Sequence, residues 1–243
     1  MKVFAFAWAL VLPFCAFAQT PQPEAKDPTA ILILDQMADV IGDLESCSFS
    51  LETSHDVMDQ DHGFLKNYAY EKVYLDGPNK LMVEIKGTKG KRGFWYNGSE
   101  LDYYSYKENN YVSIPAPAST LAMIDSINAK YDITFPAADF FYPSLTDDII
   151  EAFDSIQFVG KRMVDGQECF LIKTSNAKMD MLLYVANDAY RLPKRHVIKY
   201  KEKNGKQYEA TFSDWQLNPN IPNAIFEFKA PASARQISIQ AKK

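Results

Sequence analysis

The sequence predicts a mainly-β α+β fold: a curved antiparallel sheet of about eleven strands, an incomplete barrel, with an N-terminal helix and a mid-chain helical insert covering its concave face. Three observations lead there. Short runs of alternating apolar and polar residues recur along the chain, separated by Gly, Pro, Asn and Asp, which are strand and turn signals. Asp27-Pro28, followed by apolar residues at spacings of three and four, opens a helix ahead of the first strand. After Pro115-Ala116-Pro117 the spacing turns helical for about 35 residues, and then alternation resumes. No period of roughly 20–50 residues repeats, which excludes a propeller or solenoid. Local hairpins dominate, giving one sheet in meander order, and a sheet that wide must curl.

The chain opens with an export signal. Lys2 precedes an apolar run from residue 3 to residue 14, and Ala16-Phe17-Ala18 supplies the small-x-small pattern of a cleavage site before Gln19. The run is too short for a membrane span, which needs about 20 residues, and no transmembrane segment is expected elsewhere. Cys15 follows Phe14 rather than a small residue, which argues against a lipid anchor there. The expected organisation is a signal peptide (residues 1–18), a flexible leader (19–26), a single domain (27–231) and a C-terminal tail (232–243).

In the first helix, Ile31, Leu34, Ala38, Ile41 and Leu44 form the expected apolar stripe. Phe49 and Leu51 then alternate with Ser48, Ser50 and Glu52. Past a polar loop at residues 55–63, a long strand places Tyr68, Tyr70 and Tyr74 on one face and Ala69, Val73 and Leu75 on the other. Asp76-Gly77-Pro78-Asn79 turns the chain into Leu81, Val83 and Ile85. Asn97-Gly98 is a hairpin signal, because a type I′ turn wants positive φ at both positions. In the insert, Leu121, Ile124 and Ile127 have helical spacing, as does part of residues 139–142, and Ser144-Leu145-Thr146-Asp147 reads as the cap of a third helix ending near Phe153. Strands follow at residues 155–162 and 167–174, around Asp165-Gly166.

The last quarter holds strands at residues 181–186 and 194–201, joined through Asn187, Asp188 and Pro193. A hairpin at Asn204-Gly205 leads to a strand running to Trp215, and Phe226 and Phe228 are expected to close the sheet.

Removing the signal takes Lys2 from 26 basic residues, leaving 25 against 31 acidic, a net charge of −6. Nucleic-acid binding, which needs a basic footprint, is excluded. The remaining 225 residues (243 minus 18) suit one domain, and 47% apolar content is ample for a core. Cys47 and Cys169 remain after cleavage. In an oxidising compartment they either pair, closing a loop worth roughly 4–5 kcal/mol, or stand as two buried thiols.

The chain resembles the LolA-like group of periplasmic half-barrels, which includes lipoprotein carriers. The likeness rests on element order and on Leu192-Pro193-Lys194-Arg195, Phe212-Ser213-Asp214-Trp215, Ile221-Pro222 and the stretch from Phe226 to Pro231. It is similar more closely to a bacterial family of predicted periplasmic proteins of unknown function with that fold, through Asp27-Pro28, Gly93-Phe94-Trp95-Tyr96-Asn97-Gly98 and Val112-Ser113-Ile114-Pro115-Ala116-Pro117. The resemblance implies a periplasmic location, with secretion as the alternative. It also implies an apolar cavity for acyl chains beneath helical lids. Carriers of the group use a lid-locking arginine, and Arg92, Arg162, Arg191 and Arg195 are all open as its counterpart.

Other motifs point less far. His55, Asp56, Asp59, Asp61 and His62 could hold a divalent ion, but the same residues make an ordinary polar hairpin loop. The basic run from Lys86 to Arg92 suits a headgroup or acidic partner, or simply a solvated turn. The tyrosines at 68–74 and 103–106 fit a binding face or plain strand propensity. No enzyme is expected: His196 lies in a strand, neither a Gly-x-Ser-x-Gly elbow nor a His-Glu-x-x-His helix occurs, and Asp147 and Asp148 diverge by about 100° on a helix.

The expectation is therefore an exported binding protein without catalytic residues, metal or cofactor. It would hold a hydrophobic small molecule, a lipid or a lipoprotein acyl chain between sheet and helices. The expected cavity residues are Phe49, Leu51, Leu81, Val83 and Ile85 on the sheet, and Leu121, Ile124, Ile127, Phe140 and Phe141 on lids at residues 118–130 and 136–153. The alternative is an envelope interaction or sensor protein whose cavity is filled, and the room left beneath the helices separates the two.

Overall fold

Asp27 and Pro28 start helix α1 (Pro28–Gly42) in the computed structural model, which describes residues 25–135, 137–202 and 204–242. The predicted signal peptide, Cys15 and most of the leader lie outside the described residues. Asp27 Oδ1 accepts from the Thr29 N–H at 2.8 Å, and its Oδ2 accepts from the Phe158 N–H at 3.2 Å, so the cap also ties the helix to a strand. The buried stripe is Ala30, Ile33, Leu34, Met37 and Ile41. It is rotated from the expected one: Leu34 and Ile41 are buried, whereas Ile31, Ala38 and Leu44 lie on the flanks. The rotation follows from what the helix covers, since α1 sits in a trough against a strand and the helical insert rather than on a flat face.

Six strands follow: β1 (Ser46–Asp59), β2 (Gly63–Asp76), β3 (Lys80–Gly87), β4 (Gly90–Tyr96), β5 (Glu100–Ser105) and β6 (Asn110–Pro115). The insert comprises α2 (Thr120–Tyr131), a 3-10 turn (Ala138–Phe141) and α3 (Leu145–Ala152). Then come β7 (Ser155–Val164), β8 (Gln167–Ser175), β9 (Met179–Ala186), β10 (Pro193–Tyr200) and β11 (Gln207–Leu217), and last β12 (Arg235–Gln236).

All twelve form one open sheet in the order β12-β6-β5-β4-β3-β2-β1-β11-β10-β9-β8-β7. This corrects a simple meander. The insert carries the chain from the β6 edge across the concave face to the far edge, so the second meander runs inward until β11 meets β1. The tail adds a strand beyond the eleven expected, because β12 pairs in parallel with β6 through Arg235–Asn110 and Gln236–Tyr111. Phe226 and Phe228 do not close the sheet: Phe226 ends a 3-10 turn (Asn223–Ile225), and Phe228 packs on Trp95, Tyr104 and Tyr111 of the convex face. At the opposite edge, Lys26 bridges Ile156 at the start of β7 in parallel.

Alternation assigns the faces. Cys47, Phe49 and Leu51 of β1 point into the concave core with Val73, Leu81, Val83, Ile85, Phe94 and Tyr96, while Ser48, Ser50 and Glu52 take the other face. Cys47 and Cys169 are both free and buried. They lie on β1 and β8, four strand spacings of about 4.8 Å apart in the sheet order, so they stand as two separate thiols.

Candidate functional site

The helical insert decides how much room the concave face keeps. Ser119 caps α2 by accepting from the Ala122 N–H at 3.3 Å, and the Thr120 N–H reaches the Pro78 carbonyl at 2.9 Å, which anchors the start of the helix over the β2–β3 turn. Met123 and Ile127 face the sheet and are fully buried. The chain reverses past Asp132, at positive φ, and the Tyr142 hydroxyl donates to Asp125 Oδ1 at 2.7 Å, fastening the 3-10 turn to α2. Ser144 stands at the start of α3 as expected, but its hydroxyl donates to the Asp148 carboxylate at 2.7 Å instead of capping the backbone.

Over β1–β3 the insert fills the trough. Phe49, Leu81, Val83, Leu121, Ile124 and Phe141, six of the ten expected cavity residues, surround a void of only about 30 Å³. That is room for about one water molecule. Leu51, Ile85 and Ile127 are packed into the surrounding core. Phe49 is the keystone of this packing: its ring lies 4.3 Å from Trp215, 5.8 Å from Phe212 and 6.0 Å from Phe141.

Across that aromatic wall, the side of the trough over β9 and β10 is open. A cleft of about 460 Å³ lies between the insert and these strands. Its apolar walls are Phe140, Leu145, Ile149 and Phe153 from the insert, and Met179, Met181, Leu183 and Ile198 from the sheet. Phe140 is the one expected cavity residue that reaches it. Sequence reading missed the others because it took the β1–β3 face as the groove wall. The Met179-x-Met181-x-Leu183 alternation was the available signal, two adaptable thioether side chains side by side on one face of a strand.

The cleft has one ring base and a carboxylate rim. His196 lines it, edge-on to Phe140 at 5.7 Å, and burial pushes its pKa down to about 4, so the imidazole is neutral near pH 7. Asp125, Asp139, Tyr142 and Asp148 supply the polar lining. Burial, then the charge of Asp148, hold the Asp139 carboxyl above its ordinary value. Burial, then the bond to Asp125, raise the Tyr142 phenol.

A second polar group lies deeper on the same face. Glu71 is 3% exposed, and burial pushes its pKa up to about 7. Thr53 Oγ1 donates to its Oε1 at 3.2 Å, while its Oε2 finds no hydrogen-bond partner among the described residues. Arg92, on the same face of the sheet, adds a nearby positive charge. The other candidate arginines are occupied elsewhere: Arg162 bonds the Lys161 carbonyl, Arg191 lies over the Phe170 ring, and Arg195 bonds Thr211.

The remaining motifs are local structure. Asp59 Oδ1 accepts from the N–H groups of Asp61 and His62 and meets the His62 ring at 2.8 Å, a self-contained turn. Among the described residues no group of three or more His, Cys, Asp or Glu side chains is placed to hold a metal ion. Lys86 and Lys91 of the basic run both pair with Glu84, at 3.3 and 2.6 Å. Tyr68 and Tyr70 face outward on the convex side. Two further clefts of about 500 and 490 Å³ lie at the other end of the sheet; the first is lined in part by Gln167, Asp188, Lys194 and Asp214, the second by Glu45, Ser46, Asp76, Asn218 and Asn220. No helix among the described residues is long and apolar enough to cross a membrane.

A family model described as "Predicted periplasmic protein (DUF2092)" matches residues 30–240. Comparison with curated proteins finds no match. Among solved structures, an uncharacterized conserved protein from Thermus thermophilus is similar at 15% identity and a TM-score of 0.49, over 86% of this chain and 98% of that one. The lipoprotein LppX of Mycobacterium tuberculosis is similar at 14% identity and a TM-score of 0.49, over 81% and 98%. A LolA superfamily protein from Nitrosomonas europaea is similar at 11% identity and a TM-score of 0.36, over 82% and 97%.

Proposed function

Because the chain belongs to the DUF2092 family of predicted periplasmic proteins, we propose that it works in the periplasm as a non-enzymatic binding protein. Its ligand is an apolar chain, from a lipid, a lipoprotein or another hydrophobic molecule, lying in the cleft between the insert and β9–β10. One observation carries this reading: an apolar-walled opening of about 460 Å³ beside a trough that is otherwise packed to a 30 Å³ void. Ligand sites commonly run from about 300 to 1,000 Å³ with mostly apolar walls. Each methylene leaving water contributes about 0.8 kcal/mol, so a sixteen-carbon chain gains on the order of 12 kcal/mol, less several for lost freedom. No special chemistry is required. Met179 and Met181 adapt to the shape of whatever chain enters.

The test is native mass spectrometry of the protein purified from a bacterial periplasm, followed by organic extraction. Near-stoichiometric bound lipid or acylated peptide is expected, together with displacement of an acyl fluorophore. Ala152→Trp, at the rim of the cleft, should abolish fluorophore uptake while leaving the melting temperature unchanged. A clean apo mass with no uptake afterwards would defeat the reading.

A second reading, an envelope interaction protein, has one observation in its favour. The β1–β2 hairpin exposes Val57, Met58, Phe64, Leu65 and Tyr68, and clustered exposed apolar groups mark contact surfaces. Capture of an envelope protein by the wild-type chain, but not by a Met58→Glu, Phe64→Glu variant, would support it.

A further inference from the structure

The cleft holds more chemistry than an apolar chain uses. We propose that it selects amphiphiles carrying a cationic head group, a protonated amine or quaternary ammonium, over anionic and neutral ones. This rests on the binding role proposed above and names the class of ligand.

The charges at its mouth carry the inference. Asp125, Asp139 and Asp148 line the cleft, and no lysine or arginine does. None of the three makes an ion pair among the described residues; Asp125 and Asp148 accept only from the neutral hydroxyls of Tyr142 and Ser144. The protein treats other carboxylates differently. Glu84 is held by Lys86 and Lys91, Glu168 by Lys161, Asp180 by Lys201, and Asp56 by Lys66. Three carboxylates are thus left without a counter-charge where an apolar cleft meets solvent.

An amphiphile entering tail-first brings its head to this rim. A fatty carboxylate or a phosphate adds a like charge to this acidic rim, which disfavours it. An ammonium group supplies the missing counter-charge and relieves the repulsion between Asp139 and Asp148. His196 does not offset the field, since it is neutral at the working pH.

The experiment is calorimetric titration of the purified protein with dodecyltrimethylammonium, dodecyl maltoside and dodecyl sulfate. All three share one tail and are kept below their micelle concentrations. The cation should bind at least about tenfold tighter than the maltoside, with the sulfate weakest, and added salt should narrow the gap. The variant Asp125→Asn, Asp139→Asn, Asp148→Asn keeps the side-chain shape and one acceptor oxygen at each position, and should erase the preference while leaving maltoside binding unchanged. Its thermal melt confirms folding. Asp147→Asn with Glu151→Gln removes two carboxylates of α3 that lie outside the cleft and should change neither affinity. Equal binding of all three heads, or a cation preference that survives the triple variant, overturns this inference and leaves the binding role standing. No binding of any amphiphile overturns both.

Discussion

A Cβ on Gly93 would stand 2.3 Å from Cη2 of Trp95, so the indole lies directly across the glycine. Residues two apart on a strand share a face, here the convex one. Phe228 packs over the same indole, 5.0 Å from it, as the C-terminal run crosses the sheet. Gly93 therefore sets the height at which that run can dock. Gly93→Ala should lift the indole and destabilise the fold by about 1–3 kcal/mol, as overpacking does. Adding Trp95→Leu should recover part of the loss. An unchanged melting temperature in the single variant would contradict this account.

Glu71 and His196 should make stability depend on pH in opposite directions. The Glu71 pKa is raised from 4.5 to about 7, so between those values the folded chain holds a proton that the unfolded chain has lost, and stability falls as pH rises. The His196 pKa is lowered from 6.5 to about 4; there the unfolded chain holds the extra proton, and stability rises with pH. The two slopes oppose each other between pH 4.5 and 6.5. Glu71→Gln should therefore expose a rise in stability with pH up to 6.5, and gain roughly 2–3 kcal/mol over the parent at pH 8. His196→Gln should instead expose a fall that continues to pH 7. Urea melts across this range decide the matter, and parallel pH profiles for the two variants would refute it.

These groups mark the line between what local sequence dictates and what topology adds. Asp27-Pro28, Asn97-Gly98 and the alternation of Phe49 and Leu51 are local signals, and they correctly place a helix, a hairpin and a concave face, although Gly98 has positive φ and Asn97 does not, so the turn is not type I′. The site was less legible, because it depends on which half of the trough the insert fills. Leu121 and Ile124 land over β1–β3, whereas α3 stands away from β9–β10, and nothing within either segment encodes that difference. The alternation that turns Ala69 and Val73 inward turns Glu71 inward too, although a carboxylate is an unusual core residue. Its register opposite Leu51 and Ile85 then buries it.

The cysteines give a third prediction. Burial pushes the Cys47 thiol up to about 12 and also raises Cys169. Thiols in that state react slowly, because the thiolate is the nucleophile. In the native protein neither should label with a water-soluble maleimide, and both should label in urea. Mild oxidation should leave the mass of the folded monomer unchanged. A loss of two hydrogens, traced to a peptide linking Cys47 with Cys169, would show a disulfide instead.

The tail gives the last. The Ile237 N–H donates to the Tyr111 carbonyl at 2.8 Å, and the Arg235 N–H donates to Asn109 at 3.0 Å, so the short β12 occupies the edge of β6. An open edge presents a row of unpaired backbone groups that recruits other chains. Ile237→Pro removes one of these donors and detaches the strand. The loss of the bond itself should be small, about 1 kcal/mol. Association should respond far more: the parent is expected to elute unchanged over a concentration series, and the variant to shift to larger species, because its β6 edge is free to pair. If Ile237→Pro elutes as the parent does at every concentration, β12 is not what protects that edge, and the side chains of β6 itself must suffice.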